Sequence, residues 1–93
     1  MSNPIETGLH ELPLRRQAQV LRLLPAADAE EGEVLLRLLE IGFLPGEPVR
    51  VMAAGFPGAD PLAVRIGHTT FALRSREAAL IRVQWLADAP DTP

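Results

Sequence analysis

The chain has 93 residues, a formal net charge of −3, no cysteine and 47% apolar residues, a combination that fits one small domain with a largely aliphatic core. The missing cysteine excludes disulfides, thiolate metal ligands and cysteine nucleophiles, and it favours a cytoplasmic location. A mildly acidic chain with no basic run and no apolar run of about 20 residues predicts neither nucleic-acid binding nor membrane insertion.

The two ends of the chain differ in character from the part between them. We expect a flexible N-terminal tail over residues 1–10, which are polar and irregular, and a flexible C-terminal tail over residues 87–93, which contain two prolines and two acids. The start lacks the basic stretch and apolar run of a signal peptide, so none is expected. A single domain is predicted over residues 11–86.

The first regular elements are predicted to be a strand and a helix. Residues 17–24 are apolar and end at a proline, and their context favours a strand over a helix. Asp28 is predicted to cap the helix that follows, with glutamates in the first turn where the helix dipole favours negative charge. The helical spacing of apolar residues predicts a buried stripe of Leu35, Leu38 and Leu39 that can extend to Phe43.

A short corner rich in glycine and proline joins this helix to the next strand. Gly42 is predicted to end the helix, because glycine adopts the left-handed conformation without a steric penalty. Pro45 prevents the helix from continuing, and Gly46 supplies a second unrestricted backbone position. We predict that these three residues form a structural turn leading directly into a strand.

Four short strands are predicted after the corner, over residues 48–54, 62–67, 69–74 and 81–86. The tract between the first two is dense in glycine and proline, which predicts a loop. Trp85 in the last strand is expected to cover one end of the core. The elements together predict a mainly β fold with one α-helix. We expect a small SH3-like or OB-like β-barrel of about five strands, with the helix inserted after the first strand.

Three segments occur in a characteristic order between residues 38 and 83: LLEIGFLPGEPVRV at residues 38–51, DPLAVRIG at residues 60–67 and FALRSREAALIRV at residues 71–83. Together they resemble the FeoA family, ferrous iron transport protein A. The resemblance departs at Phe43, where the family usually has an aliphatic residue, and at Arg15-Arg16, where a Pro-Gly turn is common. It implies a small cytoplasmic SH3-like domain that docks on the cytosolic GTP-binding part of a membrane ferrous iron transporter and supports or regulates it.

The same resemblance leaves a metal-related alternative open. The SH3-like fold also forms the C-terminal domain of metal-dependent repressors, which implies a transition-metal-binding or metal-sensing regulatory domain. The residues themselves give this alternative no support, because His10 and His68 are the only histidines and they lack metal-ligand spacing. We therefore predict no metal site and no cofactor.

The sequence predicts a binding domain rather than an enzyme. It lacks a nucleophile with its base, a recognisable acid pair and a glycine-rich phosphate loop with its lysine, so no catalytic residue is predicted. A general peptide-binding SH3 module is less favoured, because a chain with one tryptophan and no tyrosine is poorly equipped for proline-rich ligands. A weak homo-oligomer remains an open alternative.

The candidate partner contacts are apolar residues at turns and outward-facing arginines on strands. For Phe43 and Leu44 the alternative role is packing of the helix against the barrel. Loop placement makes Phe56 a candidate aromatic anchor, with an ordinary loop residue as the equal alternative. The predicted contacts are Phe43, Leu44, Phe56, Arg65 and Arg74.

Overall fold

The computed structural model describes residues 3–55, 58 and 60–86. Six antiparallel strands form one sheet in the order β1-β6-β2-β3-β4-β5. The strands are β1 (Pro4–Gly8), β2 (Ala18–Leu23), β3 (Pro48–Ala54), β4 (Leu62–Ile66), β5 (Thr69–Leu73) and β6 (Ile81–Leu86). The main helix is α1 (Ala29–Ile41), a one-turn helix is α2 (Ser75–Ala78), and a 3₁₀ turn spans Leu9–Glu11. Within the described ranges, neither α-helix has the length and apolar character needed to cross a membrane.

The predicted mainly β fold with one main helix is confirmed, but its N-terminal part differs from the expectation. The predicted tail over residues 1–10 is wrong for Pro4–Gly8, which pair with β6 along their whole length. This strand has one large apolar residue, Ile5, and its sequence therefore lacks a clear alternating pattern. As a result the sheet has six strands rather than about five, and α1 follows the second strand. The predicted tail over residues 87–93 lies outside the described residues.

One aliphatic core joins the inner face of the sheet to α1. The alternation predicted for β3 and β4 is confirmed, since β4 buries every second side chain and β3 buries Val49 and Val51 on one face. Leu38 is the fully buried residue of α1, whereas Leu39 is 42% exposed, so the prediction that Leu39 is buried is wrong. Leu39 lies about 100° around the helix from Leu38 and therefore turns away from the sheet. The buried core residues are Leu9, Leu12, Ala18, Val20, Leu38, Phe43, Val49, Val51, Leu62, Val64, Ile66, Leu73, Ala78, Ile81 and Val83.

Both ends of α1 are formed by local hydrogen bonds. The predicted N-cap is confirmed, because the Glu31 N–H donates to Asp28 Oδ1 at 2.9 Å. At the other end the Gly42 N–H donates to the Leu38 and Leu39 carbonyl oxygens, at 3.1 Å in each case. Gly42 has a φ of 122° and Gly46 a φ of 91°, a region that L side chains rarely adopt. The corner between α1 and β3 therefore depends on glycine at both positions.

Candidate protein-binding groove

The structure separates the predicted contact residues into different environments. Phe43 is fully buried, so the prediction that it contacts a partner is wrong and its packing role applies instead. Leu44 is 46% exposed and remains accessible. Phe56 lies outside the described residues. Arg65 and Arg74 are both exposed, but they lie in opposite electrostatic surroundings.

Arg74 lies among carboxylates. Its backbone N–H donates to Glu77 Oε1 at 3.0 Å, and the next residue, Ser75, donates its N–H to Asp60 Oδ1 at 2.6 Å. This hydrogen bond from Ser75, with a smaller attraction from Arg74, holds the pKa of Asp60 below its ordinary value. Nearby acids therefore offset the positive charge of Arg74 and make it a weak contact for an acidic partner.

A groove of about 940 Å³ opens on the side of the molecule where the loop before β2 meets strands β1, β2, β3 and β6. Among the described residues that line it, three are arginines and none is a carboxylate. We call it the arginine groove, and its lining is Pro4, Leu14, Arg15, Arg16, Gln17, Ala18, Gln19, Pro48, Arg50, Gln84, Trp85 and Leu86. Its volume is in the range of ligand-binding clefts.

The first wall of the arginine groove is a turn in which Arg15 has an unusual backbone conformation. The Arg16 N–H donates to the Pro13 carbonyl oxygen at 3.1 Å, which closes the turn. Arg15 has a φ of 66°, the only positive φ of a non-glycine residue among the described positions. Its N–H donates to the Val51 carbonyl oxygen at 2.7 Å. The turn is thus tied to β3 in a geometry that usually selects glycine.

Arg16 is held against the aromatic side chain of the groove. Its guanidinium carbon lies 5.0 Å from the centroid of the Trp85 ring, within cation–π range. Its Nη1 lies 3.5 Å from the Leu86 carbonyl oxygen. Trp85 is half-buried and packs against the core, so this contact gives Arg16 a rigid support.

Arg50 is fixed from the neighbouring loop. Its Nε and Nη2 donate to Gln17 Oε1 at 3.1 and 2.6 Å. In the sheet Arg50 lies directly opposite Arg65 of β4. A second hollow of about 570 Å³ shares Gln17 and Arg50 with the arginine groove and adds Arg65 and His68. The positive surface therefore continues from the groove across β3 to β4.

The other described arginine contacts have structural roles. Glu6 of β1 bonds Arg22 of β2 at 2.6 Å and Arg82 of β6 at 2.9 Å, which joins three strands. Arg37 of α1 forms an ion pair with Glu77 of α2. Burial raises the pKa of Glu77, but hydrogen bonds from the Arg74 backbone and from Arg37 outweigh it, so the pKa is lowered overall.

Sequence reasoning missed most of the arginine groove. Arg15 and Arg16 were visible as a departure from the Pro-Gly turn of the resembling family, but an adjacent pair of arginines usually indicates only a solvated surface. Arg50 gave no signal beyond its outward position on a strand.

In the described residues no group of three or more histidines, cysteines, aspartates or glutamates is placed to hold a metal ion.

Comparison with protein families identifies the relatives of the chain. A family model, the FeoA domain, matches residues 7–84. The chain belongs to the FeoA family. This match covers the groove-lining turn as well as the helix, the corner and the strands after it, so FeoA membership extends over nearly all of the described fold. Comparison with curated proteins gives no match.

Solved structures of FeoA proteins have the same fold. FeoA from Stenotrophomonas maltophilia, determined with zinc and described as a prokaryotic SH3 domain protein, is 40% identical, with a TM-score of 0.68 over 90% of this chain and 94% of that one. A FeoA-like protein from Clostridium acetobutylicum is 23% identical, with a TM-score of 0.76 over 94% of each chain. A manganese-dependent transcriptional repressor is 26% identical, with a TM-score of 0.73 over 90% of this chain and 44% of that one. The fold of this FeoA-family chain is therefore SH3-like.

Proposed function

We propose that this FeoA-family chain is a non-enzymatic accessory protein of ferrous iron uptake. It acts in the cytoplasm and docks on the cytosolic GTP-binding part of a membrane iron transporter, whose activity it supports or regulates by contact. The observation that carries this proposal is the arginine groove, which is a concave and positively charged surface with apolar walls. Such a surface fits recognition of another protein, since charge complementarity steers association and apolar contacts add affinity.

The predicted contacts that remain accessible fit this proposal to different degrees. Arg65 extends the positive surface of the groove through the second hollow. Leu44 lies at the corner after α1, and Leu36 and Leu39 of the same helix are also exposed, at 64% and 42%. These leucines form a second candidate contact, separate from the arginine groove. Arg74 is the weakest candidate because of its acidic neighbours.

A transition-metal-binding or metal-sensing regulatory domain is the second candidate function. Its support is the likeness to the manganese-dependent repressor, of which this chain spans less than half the length. The described residues offer no group that could hold a metal ion by themselves. Docking on a partner protein therefore explains the arginine groove better than metal sensing does.

The direct test is binding to the cytosolic domain of the iron transporter from the same genome. The domain is immobilised in its GTP-bound and GDP-bound forms, and the full chain is titrated over it while GTP hydrolysis is followed in solution. We expect saturable binding and a change in nucleotide affinity or hydrolysis rate. Absence of binding at tens of micromolar contradicts the proposal. Specific Fe(II) binding measured by calorimetry on the isolated chain favours the metal-sensing alternative.

A further inference from the structure

We propose that the arginine groove binds an acidic, extended peptide segment of a partner protein, with at least one apolar side chain seated against Trp85. This inference rests on the proposed docking function and names the chemistry of the docked segment. It is carried by the charge of the groove, by two destabilising features in the groove and the adjoining second hollow, and by the fixed positions of Arg16 and Arg50.

The charge of the groove is opposite to that of the whole chain. The chain has 12 acidic residues, nine arginines and a net charge of −3, yet no carboxylate is found among the described residues that line the groove. Arg22, Arg37 and Arg82 form ion pairs with glutamates. Within the described part of the chain, neither Arg15 nor Arg50 forms an ion pair. Positive charge is thus concentrated where an anionic group can reach it.

Two features of this surface lower the stability of the chain on its own. Arg50 and Arg65 are direct cross-strand partners, and like charges in such positions repel each other. Arg15 occupies a backbone conformation with a φ of 66° that glycine adopts at a much lower energetic cost. A bound carboxylate lying between the guanidinium groups of Arg50 and Arg65 would remove their repulsion. A second carboxylate of the same ligand could pair with the side chain of Arg15, which the strained turn places in the groove lining.

Two of the three groove arginines, Arg16 and Arg50, are also held in place before any ligand arrives. Gln17 Oε1 accepts hydrogen bonds from Arg50 Nε and Nη2, and the other guanidinium N–H groups of Arg50 are left to donate. Arg16 is stacked on Trp85 at 5.0 Å. Fixed guanidinium groups bind carboxylates in a bidentate manner and lose little side-chain entropy on binding. The groove is therefore preorganised for carboxylates.

The apolar part of the groove indicates a peptide rather than a small anion. Leu14 and Leu86 are 57% and 44% exposed, and they line the groove together with Pro4, Pro48 and Trp85. A free phosphate leaves these side chains exposed to water, whereas an apolar side chain between acidic ones covers them. Among the described residues that line the groove, Trp85 is the one aromatic residue, so this lining does not form the stacked aromatic walls that proline-rich ligands use. Its concave shape also does not match a flat anionic bilayer.

The test uses a fluorescein-labelled peptide of alternating glutamate and leucine, titrated with the full chain at low and high salt. Matched peptides replace glutamate with lysine, or leucine with serine. We expect binding of the glutamate–leucine peptide that weakens with salt, and weaker binding of both matched peptides. Vesicles containing phosphatidylserine are titrated in parallel. Vesicle binding in place of peptide binding overturns the proposal.

Three variants connect this binding to the groove. Arg15→Gly and Arg50→Gln are each expected to weaken peptide binding roughly fivefold or more. Arg76→Gln removes one exposed charge from α2, away from the groove lining, and is expected to leave binding unchanged. Arg15→Gly is the sharpest variant, since it relieves the strained turn. A chain with this substitution should melt at the same temperature as the original or higher while it binds the peptide less well. Equal peptide binding by all variants overturns the assignment.

The same variants distinguish this inference from the proposed function. If the transporter domain binds the original chain and Arg50→Gln equally well, the groove assignment is wrong and the proposed function stands. If the acidic peptide binds in the groove but the transporter domain does not bind at all, the proposed function is wrong, and the assignment of the groove as a site for acidic peptides is supported. Sedimentation velocity adds one further outcome: self-association that Arg50→Gln abolishes shows that a second copy occupies the groove, and this overturns the partner assignment.

Discussion

Arg50 of β3 and Arg65 of β4 are direct cross-strand partners, and both side chains are exposed. Like charges in such positions destabilise an antiparallel strand pair. In the described structure neither arginine forms an ion pair, and Arg50 donates to the neutral amide of Gln17 instead. The sheet thus holds two positive charges side by side at a cost in stability, as expected of a surface that binds anions.

The first prediction concerns this pair. Arg65→Glu replaces repulsion by attraction to Arg50 and should raise the free energy of unfolding by about 0.5 kcal/mol at low salt. The gain should shrink as salt screens the two charges. Urea unfolding at two salt concentrations measures it, and Arg65→Gln serves as the matched control that should give a smaller gain. A loss of stability in Arg65→Glu at low salt contradicts the prediction.

A second prediction concerns pH and strand β1. Hydrogen bonds from Arg82 and Arg22 hold the pKa of Glu6 below its ordinary value of 4.5, against a smaller opposing effect of burial. A lowered pKa in the folded state stabilises the fold fully above pH 4.5, and this contribution disappears as the pH falls through the folded-state pKa. Glu6→Gln should therefore lower the melting temperature at neutral pH and leave it nearly unchanged in strong acid.

Thermal unfolding followed by circular dichroism measures the effect of Glu6→Gln at neutral and acid pH. Glu40→Gln is the matched control, because Glu40 is exposed and forms no ion pair in the described structure. The control should change the melting temperature little. Equal loss in both variants at neutral pH would show that the contacts of Glu6 with β2 and β6 do not stabilise the sheet.

The elements predicted correctly from the sequence are those with local signals. Strand β4 and the first half of β3 show alternation, and α1 has its cap at Asp28 and its terminating glycine at Gly42. Strand β1 has no such signal, because Ile5 is its one large apolar residue and its order comes from β6 and from the ion pairs of Glu6. Pairing partners distant in sequence are not visible in local periodicity.

The candidate groove was less predictable than the fold for the same reason. Arg50 and Arg65 each look like ordinary outward residues of a strand, and only the register of β3 and β4 brings them face to face. The turn at Arg15 takes its conformation from a hydrogen bond to Val51, far along the chain. The sequence contains the charges of the groove, but the tertiary structure determines their arrangement.

A third prediction separates the two apolar residues after Gly42. Phe43 is fully buried and Leu44 is 46% exposed. Phe43→Ala should lower the free energy of unfolding by about 3–5 kcal/mol, because it leaves a cavity in the core. Leu44→Ala should change it by no more than about 0.5 kcal/mol. Urea unfolding measures both, and a comparable loss for the two variants would contradict the burial difference. Phe43→Leu, the aliphatic form, should cost less than Phe43→Ala.

The last prediction compares two glycines of the helix region. Gly42 has a φ of 122°, and a Cβ added there meets no heavy atom within 4 Å, so any cost of Gly42→Ala comes from the backbone conformation itself. That cost is expected to be about 1–2 kcal/mol of the free energy of unfolding. Gly32 lies inside α1, where an added Cβ would be 4.0 Å from the Ala26 Cβ, an ordinary contact. Gly32→Ala should therefore stabilise the chain by up to about 1 kcal/mol. Urea unfolding of the two variants should give shifts of opposite sign, and a stabilising Gly42→Ala would show that the corner tolerates a different backbone path.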